Sequence, residues 1–112
     1  MNQRLYSIYD HRSKMYGIPF VAHNDDIAKR TTAMSLMSAP PDHLMVAFSS
    51  DYELVYIGDL TDKGELVQIS NVPTPLCFLS DIVQAFQIEQ RRKEIMLNGI
   101  RMQNEVSENT AE

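Results

Sequence analysis

Tyr52-Glu53-Leu54-Val55-Tyr56-Ile57, followed by Asp62-Lys63-Gly64-Glu65 and then Leu66-Val67-Gln68-Ile69, is the stretch whose reading decides the fold. The outer runs are rich in aromatic and β-branched residues, and the four residues between the last two runs are turn formers. Gly64 can supply the positive φ that a tight connection needs. Residues 52–69 therefore read as a β-hairpin. Alternation puts Leu54 and Tyr56 on one side of the first strand and Val55 and Ile57 on the other, which predicts a strand covered on both faces.

Upstream, Leu44-Met45-Val46-Ala47-Phe48 reads as a further strand. Leu5, Tyr6, Ile8 and Tyr9 form another, ending at the polar turn Asp10-His11-Arg12-Ser13. Ile18-Pro19-Phe20-Val21-Ala22 is a short extended segment, which Pro19 confines to an edge or an end. Between these lies a helix. Asn24 is a good N-cap, Asp25 and Asp26 suit the positive end of the helix dipole, and Ile27, Thr31, Met34 and Met37 recur at helical spacing as its core-facing side, as far as Ser38. Pro40-Pro41 ends it, and Lys29 and Arg30 fall on its solvent side.

Pro73 and Pro75 break the pattern again before a second helix with Ser80 as N-cap and Asp81 in its first turn. Ile82, Val83 and Phe86 give it a core stripe, which Gln90-Arg91-Arg92-Lys93-Glu94 interrupts before Ile95, Met96 and Leu97. Asn98-Gly99 is a candidate end cap. The expectation is an α+β domain: a small, mainly antiparallel sheet with one helix packed on it, and a long C-terminal helix. Residues 1–79 form the core, 80–103 the terminal helix packed on it or extending from it, and 104–112 a disordered acidic tail.

The 112 residues, 44% apolar and 22% charged, suit one domain that packs its own core. Cys77 is the single cysteine, so the chain has no internal disulfide; burial as a small apolar residue is the simplest role for it. No run of some 18 apolar residues is present, and the N-terminal stretch lacks the apolar core of a leader. The expectation is a protein of the cytoplasm that neither spans nor enters a membrane. The net charge of −5 argues against a broad electrostatic grip on nucleic acid. Charge is uneven, however. Residues 1–48 carry five basic and four acidic groups, whereas 49–80 carry one and five. DNA contact must then be local, from the first segment or from Arg91, Arg92 and Lys93.

The chemistry of catalysis is thin. His11, His23 and His43 have no metal-ligand spacing, the four glycines are scattered singly, and the serines lie in no nucleophile elbow. Asp25-Asp26 and Asp59 with Asp62 are explained by helix-start and turn chemistry. The expectation is a non-enzyme with no metal and no cofactor.

Four features, in order, resemble the small non-structural protein family of gokushoviruses, the microviruses of intracellular and enteric bacteria. They are Tyr6-Ser7-Ile8-Tyr9-Asp10 followed by Pro19-Phe20, Asn24-Asp25 leading into Ala28-Lys29-Arg30, Asp51-Tyr52-Glu53-Leu54 continuing to Ile57-Gly58, and Lys63-Gly64-Glu65-Leu66. Thr32 stands where the family usually has an aromatic, and Ser49-Ser50-Asp51-Tyr52 where Pro-Glu-Asp-Tyr is common. The resemblance implies a protein acting late in infection, by analogy with the microvirus protein that stops double-stranded replication and directs single strands into procapsids.

Arg4, Arg12, Lys14, Lys29 and Arg30, interleaved with Tyr6, Tyr9, Tyr16 and Phe20, would suit a surface on which single-stranded DNA stacks its bases while cations meet its phosphates. The same aromatics would equally serve as the inward side of a half-buried strand. Arg30 is where the family's motif and the basic surface coincide. A separate stripe of Ile88, Ile95 and Met102 repeats every seven residues, as a homodimerising helix would. The competing function is an interaction module that touches no DNA and binds a viral replication initiator, a procapsid protein or a host factor.

Overall fold

The computed structural model describes residues 2–68 and 70–110, with 100–110 as backbone alone. The elements are β1 (Gln3–Asp10), β2 (Met15–Tyr16), β3 (Phe20–Ala22), α1 (Asp25–Ser38), α2 (Leu44–Ala47), a 3-10 turn at Ser49–Asp51, β4 (Tyr52–Leu60), β5 (Leu66–Gln68), β6 (Thr74–Phe78) and α3 (Leu79–Thr110). This is an α+β fold with an antiparallel sheet and a long C-terminal helix.

β1 and β4 form the centre of the sheet, paired from Gln3 opposite Leu60 to Asp10 opposite Tyr52, with a bulge between Leu5 and Tyr6. The outer edge of β1 is shared by β2, at Tyr9, and β3, at Arg4 to Tyr6. The outer edge of β4 is shared by β5, at Gly58 to Leu60, and β6, at Glu53 to Tyr56. The hairpin expected over 52–69 is β4 and β5, and its loop is closed by Gly64 donating to the Thr61 carbonyl while Gly64 holds φ at 80°; Ile69 lies outside the described residues. Gly58 has its own reason to be glycine. β5 passes so close that a Cβ there would sit 2.5 Å from the Val67 carbonyl oxygen.

Three readings within residues 1–78 are corrected. Leu44–Ala47 is a helical turn, not a strand, with its first amides capped by the His43 ring, which accepts from the Met45 N–H. A short apolar run without alternation fits either conformation, and the polar cap decides here. Secondly, Thr74–Phe78 is a strand despite Pro73 and Pro75, because β6 lies at the sheet edge, where a missing N–H breaks no ladder. Thirdly, α1 begins at Asn24 as expected, with the side-chain oxygen accepting from the Ile27 N–H at 2.9 Å, but it buries the other side. Ala28, Thr32, Ala33 and Leu36 face the core, while Thr31 and the larger Ile27, Met34 and Met37 are exposed.

α3 packs only by its first two turns. Leu79 and Ile82 are buried and Val83 and Phe86 lean on the core, but every residue from Gln87 to Gly99 is exposed. The helix passes Asn98-Gly99 without stopping and continues to Thr110, through residues expected to form a tail; Ala111 and Glu112 lie outside the described residues.

The core lies on one face of the sheet. Tyr6, Tyr52, Leu54 and Tyr56 meet Ala28, Ala33 and Leu36 of α1 and Leu79 and Ile82 of α3. Strand alternation sends Leu5, Ser7, Tyr9, Glu53 and Val55 to the opposite face. Val55 is buried between Ser7 and Pro75 but belongs to no helix-bearing core, and the Ser7 hydroxyl donates to the Gly17 carbonyl in the loop before β3. β4 is thus buried on both sides at Leu54, Val55 and Tyr56, as expected, although among the described residues the helices occupy one side.

Candidate nucleic-acid interface

The open face carries a row of rings. Tyr16 of β2 is paired with Tyr9 of β1, Tyr9 with Glu53 of β4, and Glu53 with Phe78 of β6, so the four side chains cross the sheet in one line. His11, just after β1, lies over this line. Its ring is 4.8 Å from Tyr9 and 5.4 Å from Phe78, and its Nε2 is 3.1 Å from Glu53 Oε1. Tyr9 and Tyr16 are 4.7 Å apart. The result is a continuous strip, Tyr16–Tyr9–His11–Phe78, with rings tilted against one another rather than stacked.

The turn at the end of this strip is built by Asp10. Its carboxylate accepts from the Arg12 N–H at 2.9 Å and from the Ser13 hydroxyl at 2.8 Å, and its carbonyl accepts from the Lys14 N–H. The Ser13 hydroxyl first, and the Arg12 amide next, hold the Asp10 carboxyl below its ordinary value. Lys14 closes the turn with φ of 59°, in the left-handed region. The turn presents Arg12, whose side chain is 82% exposed although its Nε is 3.4 Å from Asp51 Oδ2, and the exposed Lys14. Asp10, Asp51 and Glu53 offset these two cations locally. Rings, more than charge, distinguish this surface.

The other sequence candidates lie elsewhere. Tyr6 is fully buried, its hydroxyl donates to Asp25 Oδ1 at 2.7 Å, and its ring packs against Phe20 and Tyr56 at 5.8 Å each. Burial first, and the Asp25 hydrogen bond and charge next, push its phenol well above the ordinary value. Arg4 lies 3.9 Å over the Tyr56 ring with its Nη2 3.6 Å from Asp25, and Phe20 leans on the core. These three build the covered face and offer a base no platform. Lys29 and Arg30 line an open groove of about 330 Å³ between α1 and α3, together with Asp26, Asp81, Phe86 and Glu89. Cys77 also reaches this groove, half-buried on β6, with its thiol pushed up by burial.

The structure thus keeps Tyr9, Arg12 and Lys14 together and separates them from Arg4, Tyr6, Phe20, Lys29 and Arg30. It adds His11 and Phe78, which sequence reasoning missed. Phe78 carries no local signal, since its place depends on β6 pairing with β4. On α3, Ile88 and Ile95 are exposed on the projecting part, and the Met102 side chain lies outside the described residues.

Among the described residues no group of three or more His, Cys, Asp or Glu is placed to hold a metal ion. No helix among them is long and apolar enough to cross a membrane. In comparisons with known proteins, a family model described as Phage ORF5 protein matches residues 3–85, which includes the whole sheet, α1, α2 and the first turns of α3. No curated protein and no solved structure matches.

Proposed function

The chain belongs to the phage ORF5 protein family, and from that premise we propose a non-enzymatic, non-structural phage protein that binds single-stranded DNA in the host cytoplasm and turns viral replication from double-stranded toward single-stranded synthesis and packaging. The gokushovirus likeness described above supports the replication role. The observation that carries the DNA reading is the strip Tyr16–Tyr9–His11–Phe78 on a sheet face free of helices, with Arg12 and Lys14 in the adjoining turn. Rings that are exposed, as at Tyr16 and His11, or half-exposed, as at Tyr9 and Phe78, accept unpaired bases of any sequence, and a duplex keeps its bases stacked inside, so single strands are preferred. Each base stacked on a ring contributes about 1–3 kcal/mol. With two cations at the strip and three nearby carboxylates, few phosphates are neutralised, and salt weakens binding gently rather than steeply.

Fluorescence anisotropy with labelled single-stranded and duplex oligonucleotides at two salt concentrations tests this. Expected are binding to single strands and a loss of about tenfold or more for Tyr9→Ala. Folded protein that binds no single strand at low salt retires the reading.

A second reading has its own observation. Ile27, Met34 and Met37 form an apolar side of α1 that is exposed among the described residues, with Met34 64% exposed, and methionine adapts to varied partners. An interaction module acting on a viral replication initiator, a procapsid protein or a host factor would use it, and Met34→Glu would then abolish partner capture while leaving DNA affinity unchanged.

A further inference from the structure

Glu53 puts a carboxylate at the centre of the ring strip. On β4 it is flanked across the sheet by Tyr9 and Phe78, and the His11 ring lies against both of these rings. Its side chain is only 14% exposed. A carboxylate enclosed in this way costs stability unless hydrogen bonds compensate it, and its two oxygens offer about four acceptor sites. His11 Nε2, 3.1 Å from Oε1, is the single hydrogen-bond partner of the Glu53 side chain among the described residues. Oε2 has none there. It is not sealed either, because the one buried side-chain nitrogen or oxygen without a partner among the described residues is Arg4 Nε. Oε2 is therefore an acceptor that reaches the surface in the middle of the strip.

The neighbouring carboxylates are engaged in the turn. Asp10 accepts from the Arg12 N–H and the Ser13 hydroxyl, and Asp51 lies 3.4 Å from Arg12 Nε. Arg12 and Lys14 stand in that turn, and among the described residues neither pairs with Glu53. A strand lying along the rings meets cations at the turn, where its phosphates are held. At the centre it meets an acceptor that repels phosphate and attracts a donor on the edge of a base. Fixing the His11 ring does not by itself call for a charge, since the neutral amide of Gln also accepts a hydrogen bond.

We propose that Glu53 sets the base preference of the strip: through Oε2 it accepts a hydrogen bond from the exocyclic amino group of cytosine, adenine or guanine, and it disfavours thymine. The inference rests on the reading of the strip as a single-stranded DNA site. Cytosine N4, adenine N6 and guanine N2 are all donors, and a carboxylate accepting from cytosine N4 is a recurrent pairing in nucleic-acid recognition. Thymine has no amino group. Its O4 and O2 flank the N3–H, so its pairing edge brings carbonyl oxygens against the carboxylate. Stacking works the other way, because the thymine methyl adds apolar area. A preference for cytosine over thymine thus separates reading by Glu53 from stacking on the rings.

Fluorescence anisotropy with labelled oligo(dC) and oligo(dT) of equal length, at one low salt concentration, tests this. Expected is binding to oligo(dC) about fivefold or more tighter than to oligo(dT). Glu53→Gln keeps an acceptor for His11 and adds an amide donor for the thymine carbonyls, so oligo(dT) gains more and the two affinities come to within about twofold. A purely structural Glu53 would instead let the substitution shift both affinities by the same factor. Three results overturn the proposal while the single-strand reading stands: equal affinities for the two oligonucleotides in the unsubstituted protein, a preference there for oligo(dT), or an unchanged ratio in folded Glu53→Gln protein. The comparison on the unsubstituted protein decides even where the variant does not fold. Binding of neither oligonucleotide by folded protein overturns both.

Discussion

Tyr6 and Tyr9 stand three residues apart on β1 and live in opposite worlds. Tyr6 is sealed under α1, hydrogen-bonded to Asp25, and Tyr9 stands half-buried on the helix-free side of the sheet between Tyr16 and His11. Three is odd, and on a strand an odd separation means opposite faces. The consequence is that one segment serves two purposes by parity: even-numbered residues near Tyr6 build the core, and odd-numbered ones near Tyr9 build the surface on which ligand chemistry is possible. An aromatic count along β1 averages these and sees neither.

The largest effect that would break the contrast comes from truncating the two rings. Tyr6→Ala is expected to destabilise the domain by about 3–5 kcal/mol in chemical denaturation, from lost packing and a cavity under α1. Tyr9→Ala is expected to cost about 1 kcal/mol and to act on DNA affinity instead. Equal losses of stability would mean that Tyr9 is as deeply covered in solution as Tyr6.

Raising the pH sharpens the same contrast. Tyr6, Tyr52 and Tyr56 all have phenols raised mainly by burial, with Asp25 adding to Tyr6 and Asp59, hydrogen-bonded at 2.6 Å, adding to Tyr56. Their folded values exceed their unfolded ones. Their stabilising contribution is therefore complete below about pH 10 and is lost as the pH climbs through the folded values. Denaturation curves collected from pH 8 upward should show stability falling above about pH 10, and Tyr6→Phe should blunt that fall. A stability that stays flat through this range would show those phenols to be solvated.

The most local of the expected effects probes the far edge. Gly58→Ala forces a Cβ onto the Val67 carbonyl oxygen, and because that obstacle is backbone, β5 has to move; a loss of about 1–3 kcal/mol is expected, with β4 and its rings retained. An unchanged melting temperature would show β5 to be only loosely attached.

Much of the fold was legible where local chemistry decides it. Asn24 with Asp25 and Asp26 marked the start of α1, Asp62 to Glu65 marked the hairpin loop, and the Asp10 turn was visible from its polar residues. Apart from the turn at Leu44–Ala47, which the adjacent His43 cap decides, what failed depended on partners distant in sequence. The Ile27, Thr31, Met34, Met37 stripe has the same period as Ala28, Thr32 and Leu36, and hydropathy favours the wrong one, since at Ala28, Thr32 and Ala33 the buried side of α1 carries small residues. The candidate interface was half legible. Tyr9, Arg12 and Lys14 are local to one turn, whereas His11 and Phe78 join them through β4 and β6. Arg30, favoured by motif and charge, lies in the groove between the helices and away from the strip.

The choice of Ala28 and Ala33 as the residues by which α1 meets the sheet inverts the usual guide to mutational tolerance. Both are sealed, and the Thr32 hydroxyl between them is spent on the Ala28 carbonyl at 2.8 Å, so a single added methylene at any of these positions levers the helix off its seat. The bulky neighbours Ile27, Met34 and Met37 can change size freely as far as folding is concerned. In a helix built this way Ala28 and Ala33, which contribute the least hydrophobic mass, are among the positions least tolerant of enlargement.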